Sequence, residues 1–203
     1  MNSRILVWDV PTRVFHWVQV FSFAGAYLTS DSEKYRDIHI ALGYIMLGLI
    51  VFRLVWGFAG SRYARFSSFL FKPGEIAGYL MSLAKNKAQH YLGHNPAGSI
   101  SVWLLLTLGL LLCVTGVLAL QDDASDTVIE LHDLSTDIML VVIALHIAGV
   151  FVSSFLHREN LVRSMITGFK QSDSPDGIGQ SFNWLGILML AIVAVFGFVY
   201  LQV

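Results

Sequence analysis

The chain has 203 residues, 55% of them hydrophobic and 13% charged, with a mean hydropathy of +0.64 and a net charge of −1. A soluble domain carries about 25% charged residues, so this composition excludes an ordinary soluble enzyme and leaves room for one membrane bundle of about five spans. The single cysteine, Cys113, excludes an internal disulfide, no CxxCH is present for covalent haem attachment, and no basic patch is arranged for nucleic acid.

Five spans are expected in chain order: Val14–Leu28, His39–Phe58, Ser99–Leu120, Val128–Phe155 and Phe182–Leu201. The last four each supply the roughly 20 residues that a bilayer requires. The first is shorter and more polar, with Pro11–Arg13 as an interfacial lead-in, and Pro11 suits a first helical turn. A signal peptide is the competing reading of this segment, and Asp9, Pro11, Arg13, His16 and Gln19 interrupt the apolar run that such a peptide needs. Between spans two and three lies a long loop. Within it Lys72–Lys85 reads as an amphipathic helix over about residues 73–85: Pro73 opens it, Glu75 suits the first turn, and Ile76, Tyr79, Leu80 and Leu83 share one side. Residues 1–170 thus form a core unit, and residues 171–203 a turn-rich linker followed by a fifth span without histidine or charge.

Lysines and arginines fall largely on one side: Arg4, Arg13, Arg53, Arg62, Arg65, Lys72, Lys85, Lys87, Arg158, Arg163 and Lys170, against Lys34 and Arg36 on the other. By the positive-inside rule the N-terminus is cytoplasmic and, after five spans, the C-terminus periplasmic. Trp8, Trp17, Trp56 and Trp103 fit an interfacial aromatic belt. The acidic outer loop (Asp122, Asp123, Asp126) suits either plain solvation or docking of a basic periplasmic cytochrome c.

Histidine spacing carries the chemistry. His132 and His146 are fourteen residues apart in span four, which on an α-helix means about 21 Å of rise and a shared face to within ~40°. His39 opens span two at the outer side, level with His132. His16 opens span one from the inner side, level with His146. Polar rings inside a bilayer are costly unless something satisfies them, and two facing pairs of imidazoles suit two bis-histidine haem irons. Tetrahedral zinc fits worse, because it needs a compact cluster. Gly43, Ala148, Gly149 and the run Ala24–Ala26 leave room for a large ring. Arg13 is the candidate partner for a propionate of the inner haem, and Arg53 for a propionate or a quinone carbonyl. His157 reads as interfacial, and His90 and His94 fall in the inner loop, where His94 precedes an Asn-Pro turn.

The stretches "VWDVPTRVFHW" (Val7–Trp17), "HIALGYIMLGLIVFRLVWGF" (His39–Phe58), "YLGHNPAGS" (Tyr91–Ser99), "LHDLSTDIMLVVIALHIAGV" (Leu131–Val150) and "LHRENLVRSMITG" (Leu156–Gly168) together resemble the bacterial cytochrome b561 family, which includes the b-type subunits of nickel–iron hydrogenases. The resemblance covers about residues 5–170. It implies an all-α integral membrane bundle, a four-helix di-haem core to which this chain adds a fifth C-terminal helix. It also implies two non-covalent haems b, the inner one on His16 and His146 and the outer on His39 and His132, in the bacterial inner membrane. The function implied is electron transfer between a periplasmic partner or small donor and membrane quinone, of the cytochrome:quinone or superoxide:quinone type. The alternative is a non-catalytic haem-bearing anchor subunit of a hydrogenase, a dehydrogenase or a cytochrome c complex. A haem-free transporter or structural bundle is the third reading.

Overall fold

The computed structural model describes residues 3–85, 87 and 89–202. Among them are seven α-helices: α1 (Val10–Thr29), α2 (Arg36–Ala59), α3 (Pro73–Ala84), α4 (Pro96–Ala119), α5 (Asp126–Leu156), α6 (Leu161–Thr167) and α7 (Asn183–Tyr200). Strand β1 (Ser3–Leu6) pairs antiparallel with β2 (Phe169–Ser172). That small ribbon lay outside the sequence-based expectation.

Among the described residues four segments are long and apolar enough to cross a membrane: α2 with its lead-in turn from Glu33, α4, α5 and α7. The chain is therefore a multi-pass membrane protein. Helix α1 has 20 residues but carries Arg13, His16 and Gln19 and does not reach the same apolarity. At 31 residues, α5 extends about 46 Å, well beyond the roughly 30 Å hydrocarbon core. It therefore carries His132 and His146 at clearly separate levels.

The start of α1 shows how the sequence places these helices. Asp9 is its N-cap and accepts a hydrogen bond from the Thr12 backbone N–H at 2.7 Å, satisfying one of the orphan donors of the first turn. The other carboxylate oxygen accepts from Trp56 Nε1–H at 3.1 Å, which ties the first turn of α1 to the end of α2. Asp9 is 0% exposed. Arg13 and Arg53 supply positive charge close enough to act on it, as a buried carboxylate requires. Glycines then allow close packing. At Gly57 on α2 a Cβ would meet the Phe66 ring at 2.2 Å, and at Gly25 on α1 it would meet Leu42 at 2.7 Å.

Helix α1 packs along α2, α4 along α5, and α2 against α4, whereas α5 makes no comparable packing with α1 or α2. Helix α7 lies against α1 and α2. It begins where Gly186 meets Val10 and ends where Tyr200 meets Tyr44, with ring centres 6.1 Å apart. It therefore runs from the end of the bundle near His16 to the end near His39.

The segment between β2 and α7, expected as a turn-rich linker, is fastened to the His16 end. Ile178 N–H donates to the Leu6 carbonyl at 2.8 Å, Tyr63 donates to the Asp176 carbonyl at 2.7 Å, and Arg62 pairs with the Asp176 carboxylate at 3.1 Å. Gly168 ends α6 with φ +86°. Its carbonyl accepts from the Val7 and Trp8 amides, and a Cβ there would stand 2.6 Å from the Trp8 carbonyl. Only glycine meets both demands without strain.

The aromatic-belt expectation is corrected at two positions. Trp8 and Trp56 are buried, because one packs edge-on against His94 and the other needs its N–H beside Asp9. Asp9→Ala removes the cap and leaves the Trp56 N–H buried without a partner. It is expected to destabilise the protein by roughly 1–3 kcal/mol and to lower its thermal unfolding midpoint in detergent. A midpoint equal to that of the unaltered protein would contradict the role assigned to Asp9.

Candidate functional site

At the His39 end the site begins with a helix terminus. Helix α1 stops at Thr29, so the Ala26 carbonyl belongs to the last four, which have no backbone partner within the helix. His39, on the first turn of α2, places Nδ1 2.9 Å from that carbonyl oxygen. A carbonyl only accepts, so this nitrogen carries the proton and Nε2 keeps its lone pair.

His132 is held in the same way by α4. The Thr115 hydroxyl lies 2.8 Å from the Leu111 carbonyl and donates to it, the usual arrangement for a threonine inside a helix. Its oxygen remains free to accept from His132 Nδ1–H at 3.1 Å. Next to it, a Cβ at Gly116 would stand 3.2 Å from His132 Cε1. The glycine thus lets α4 press against the imidazole.

The His39 and His132 ring centres are 6.3 Å apart, with 70° between their planes. One metal ion between two imidazole nitrogens, at roughly 2.0–2.1 Å from each, sets the ring centres about 6 Å apart. A cavity of about 880 Å³ opens here, lined among others by His39, His132, Gly43, Gly116, Tyr27 and Arg36. Its volume is in the range of small-molecule and cofactor sites. Nothing lies within 4 Å of a Cβ built at Gly43, in keeping with the open space expected there. Among the described lining residues Arg36 is the one lysine or arginine, placed to meet an anionic group. Both rings present a free Nε2, the space beside them is wide, and a cation stands at its edge. A haem b fits this donor set.

The His16 end is built differently. His16 lies on α1 one turn after Arg13, and His146 on α5 is close enough to act on it electrostatically. His94 joins them from the loop before α4. Its ring sits against Phe69 (centres 4.5 Å apart) and Trp8 (4.9 Å). Burial, together with the nearby positive charges of Arg53 and Lys170, pushes its pKa down to about 3, so the ring is neutral at physiological pH. Arg53 is 3% exposed, with its guanidinium 5.1 Å from the centre of the Phe66 ring. His16 Nδ1, His94 Nδ1, Arg13 Nε and Arg53 Nη1 are all buried without a partner. Buried polar atoms are rarely left so; Arg53, whose charge acts on His94, is a buried donor that a haem carboxylate would satisfy, whereas Arg13 Nε lies toward Gly168, 3.3 Å from a Cβ built there. Arg13 is partly committed elsewhere, since Nη1 donates to the Ile166 carbonyl at the end of α6 at 2.6 Å.

Between the two ends lies apolar packing of Met46, Ile50 and Cys113. There Gly109 brings α4 so near that a Cβ would be 3.0 Å from Ile50 and 3.6 Å from Met139. Gln19 is the polar exception, with its Oε1 buried and unpartnered. Among the described residues no three His, Cys, Asp or Glu side chains converge on a metal position, which disfavours the tetrahedral zinc alternative.

The structure thus brings His39 to His132 and His16 to the neighbourhood of His146. It sets His157 apart, beside His90 with ring centres 5.3 Å apart. Sequence reasoning missed Thr115, the Ala26 carbonyl, Gly116 and Arg36. Thr115 shares its span with Ser99, Ser101 and Thr107, so nothing in the sequence singled it out, and a main-chain carbonyl leaves no sign at all.

The family model of prokaryotic cytochrome b561 matches residues 7–168. Proteins named probable Ni/Fe-hydrogenase B-type cytochrome subunit are similar to the chain. The one from Rhizobium leguminosarum bv. viciae is 25% identical over 82% of this chain and 89% of its own length. The one from Azotobacter vinelandii is 24% identical over 86% and 92%, and that from Rhodobacter capsulatus 21% identical over 83% and 82%. No solved structure matches the chain. A family match spanning most of the chain, including all four histidines of the paired sites, leads to one conclusion: the chain belongs to the prokaryotic cytochrome b561 family.

Proposed function

We propose that this membrane b-type cytochrome conducts electrons between its two ends through two haems b, one held by His39 and His132 and the other by His16 and His146. The observation that carries this reading is the His39–His132 pair, with both Nδ1 atoms occupied by protein acceptors and ring centres 6.3 Å apart. A haem b at each site supplies one-electron exchange at its iron.

The protein's part is to bind, orient and insulate. Ala26 and Thr115 fix the tautomer of the two ligands at the His39 end and raise their basicity. Arg36 at that end, and Arg53 with Arg13 at the other, would meet the propionates. The apolar layer around Met46 and Ile50 keeps water out of the path between the sites. The His16 end bears Arg4, Arg62, Arg163 and Lys170 and is assigned to the cytoplasm of a bacterial inner membrane. The His39 end then faces the periplasm, where a cytochrome c, a larger oxidoreductase subunit or a small donor such as superoxide exchanges electrons, and membrane quinone is the other partner.

The names of the similar proteins favour a second reading, in which this haem-bearing chain is the membrane anchor of a larger oxidoreductase. Purification separates the two. An anchor co-purifies with a soluble partner and depends on it, whereas a stand-alone protein reduces quinone with a small donor alone.

A redox-titrated optical spectrum with haem quantitation tests the proposal, and two bis-imidazole haems per chain are expected. His146→Ala should leave one haem, and His157→Ala should leave two. Retention of both haems in His146→Ala would sink the assignment of the His16 site. Thr115→Val frees the tautomer of His132 and should weaken haem binding at the His39 end by roughly 10–100-fold, while Thr115→Ser retains it. Haem titration of the apoprotein measures both variants, and equal affinity in Thr115→Val would remove Thr115 from the site.

A further inference from the structure

Outside both histidine sites, the His16 end carries a connected set of proton-exchanging groups. Lys170 on β2 is 5% exposed. Its Nζ lies 3.2 Å from Glu159 Oε2 and 3.5 Å from the Tyr91 carbonyl. The same Glu159 oxygen is 3.1 Å from His90 Nε2. The His90 ring, exposed to solvent, touches His157 at 5.3 Å between centres. Glu159 Oε1 is buried without a partner. The chain of contacts therefore runs from solvent at His90 through Glu159 to a buried ammonium. That ammonium grips the loop carrying His94, and His94 in turn feels the charges of Lys170 and Arg53.

A staple between α5, β2 and the loop needs only one ion pair. A second partner on the same carboxylate, His90, with the His157 ring against it, and an orphaned oxygen call for another explanation. A buried ion pair also contributes little net stability by itself.

We propose that His90, His157, Glu159 and Lys170 form a proton-loading site coupled to the electron at the His16 end. This proposal rests on the electron-carrying reading above. One electron arriving at that end adds a negative charge to a low-dielectric interior, and one proton moves from bulk water onto the cluster to offset it, forming an N–H bond on an imidazole. Burial and the neighbouring His90 and Lys170 hold the His157 imidazole below its ordinary pKa against the opposing pull of Glu159. It is therefore neutral at neutral pH and has a free nitrogen to receive the proton. The groups around this cluster are Tyr91, whose carbonyl meets Lys170, Tyr79 from α3 against the Tyr91 ring, and His94 with Arg53 beyond it. Where a quinone collects the electrons, two electrons and two protons together make one quinol, and the cluster lies on the side from which those protons come.

Redox titration of the purified two-haem protein between pH 6 and pH 8.5 tests the proposal. The midpoint assigned to the His16 end, identified by its loss in His146→Ala, should fall as pH rises. One proton per electron sets the limit at about 59 mV per pH unit, the equivalent of a tenfold change for a one-electron couple. The slope should drop by more than half in His90→Gln/His157→Gln and in Glu159→Gln, with both haems retained. Using both variants guards against one that fails to take up haem. Midpoints independent of pH in the unaltered protein, or an unchanged slope in the variants, overturn the proposal alone. A purified protein without haem overturns the electron-carrying reading and this proposal with it.

Discussion

A histidine buried among apolar helices has two nitrogens to satisfy, and the rest of this structure depends on how that demand is met. At the His39 end the answer is explicit. Each Nδ1–H is taken by an acceptor already in place: the Ala26 carbonyl, left without a backbone partner by the end of α1, and the Thr115 hydroxyl, whose own proton is spent inside α4. What remains is a pair of Nε2 lone pairs turned to a common space. Both rings are half-buried and line the cavity, where a metal between them would meet both lone pairs.

The same constraint explains the uneven packing of the bundle. Helix α5 carries a histidine of each pair yet leans on α4 and stays off α1 and α2, which carry the others. Direct packing of α5 against those helices would close the space in which the imidazoles face. Helix α4 brings no histidine. It contributes glycine and threonine, so that α5 is held close on one side and left open on the other. In this light the glycines have divided duties. Gly116 and Gly109 permit contact, whereas Gly43 borders the cavity.

The two ends differ in how they manage charge. The His39 end opens into a wide cavity with acidic residues and Arg36 at its rim. The His16 end is closed by the β1–β2 ribbon, α6 and the loop carrying His94, and it buries Asp9, Arg53 and Lys170. Buried charges of this kind survive only where a partner stands close. Asp9 lies within the field of Arg53, and Lys170 is paired with Glu159. A haem's carboxylates and an arriving electron would both be felt by these groups, which is why redox and protonation are expected to be linked at this end rather than at the other.

The sequence by itself determined the membrane class, the apolar helices, and the depth and shared face of His132 and His146, because hydropathy and the 1.5 Å rise of a helix are local properties. It also marked His16 and His39 as their partners and Pro73 as the start of α3. Tertiary structure alone decided which acceptors hold the ligands, since the Ala26 carbonyl and Thr115 reach their histidines across helices, and no spacing rule encodes that. It alone packed the His94 ring against Phe69 and Trp8 and buried Trp8 and Trp56 inside the protein. It alone revealed the ribbon that fastens residues 3–6 to residues 169–172, and joined His90, Glu159 and Lys170 into one cluster. Each of these depends on residues far apart in the chain finding a partner for a buried polar group, and such pairings exist only once the helices have assembled.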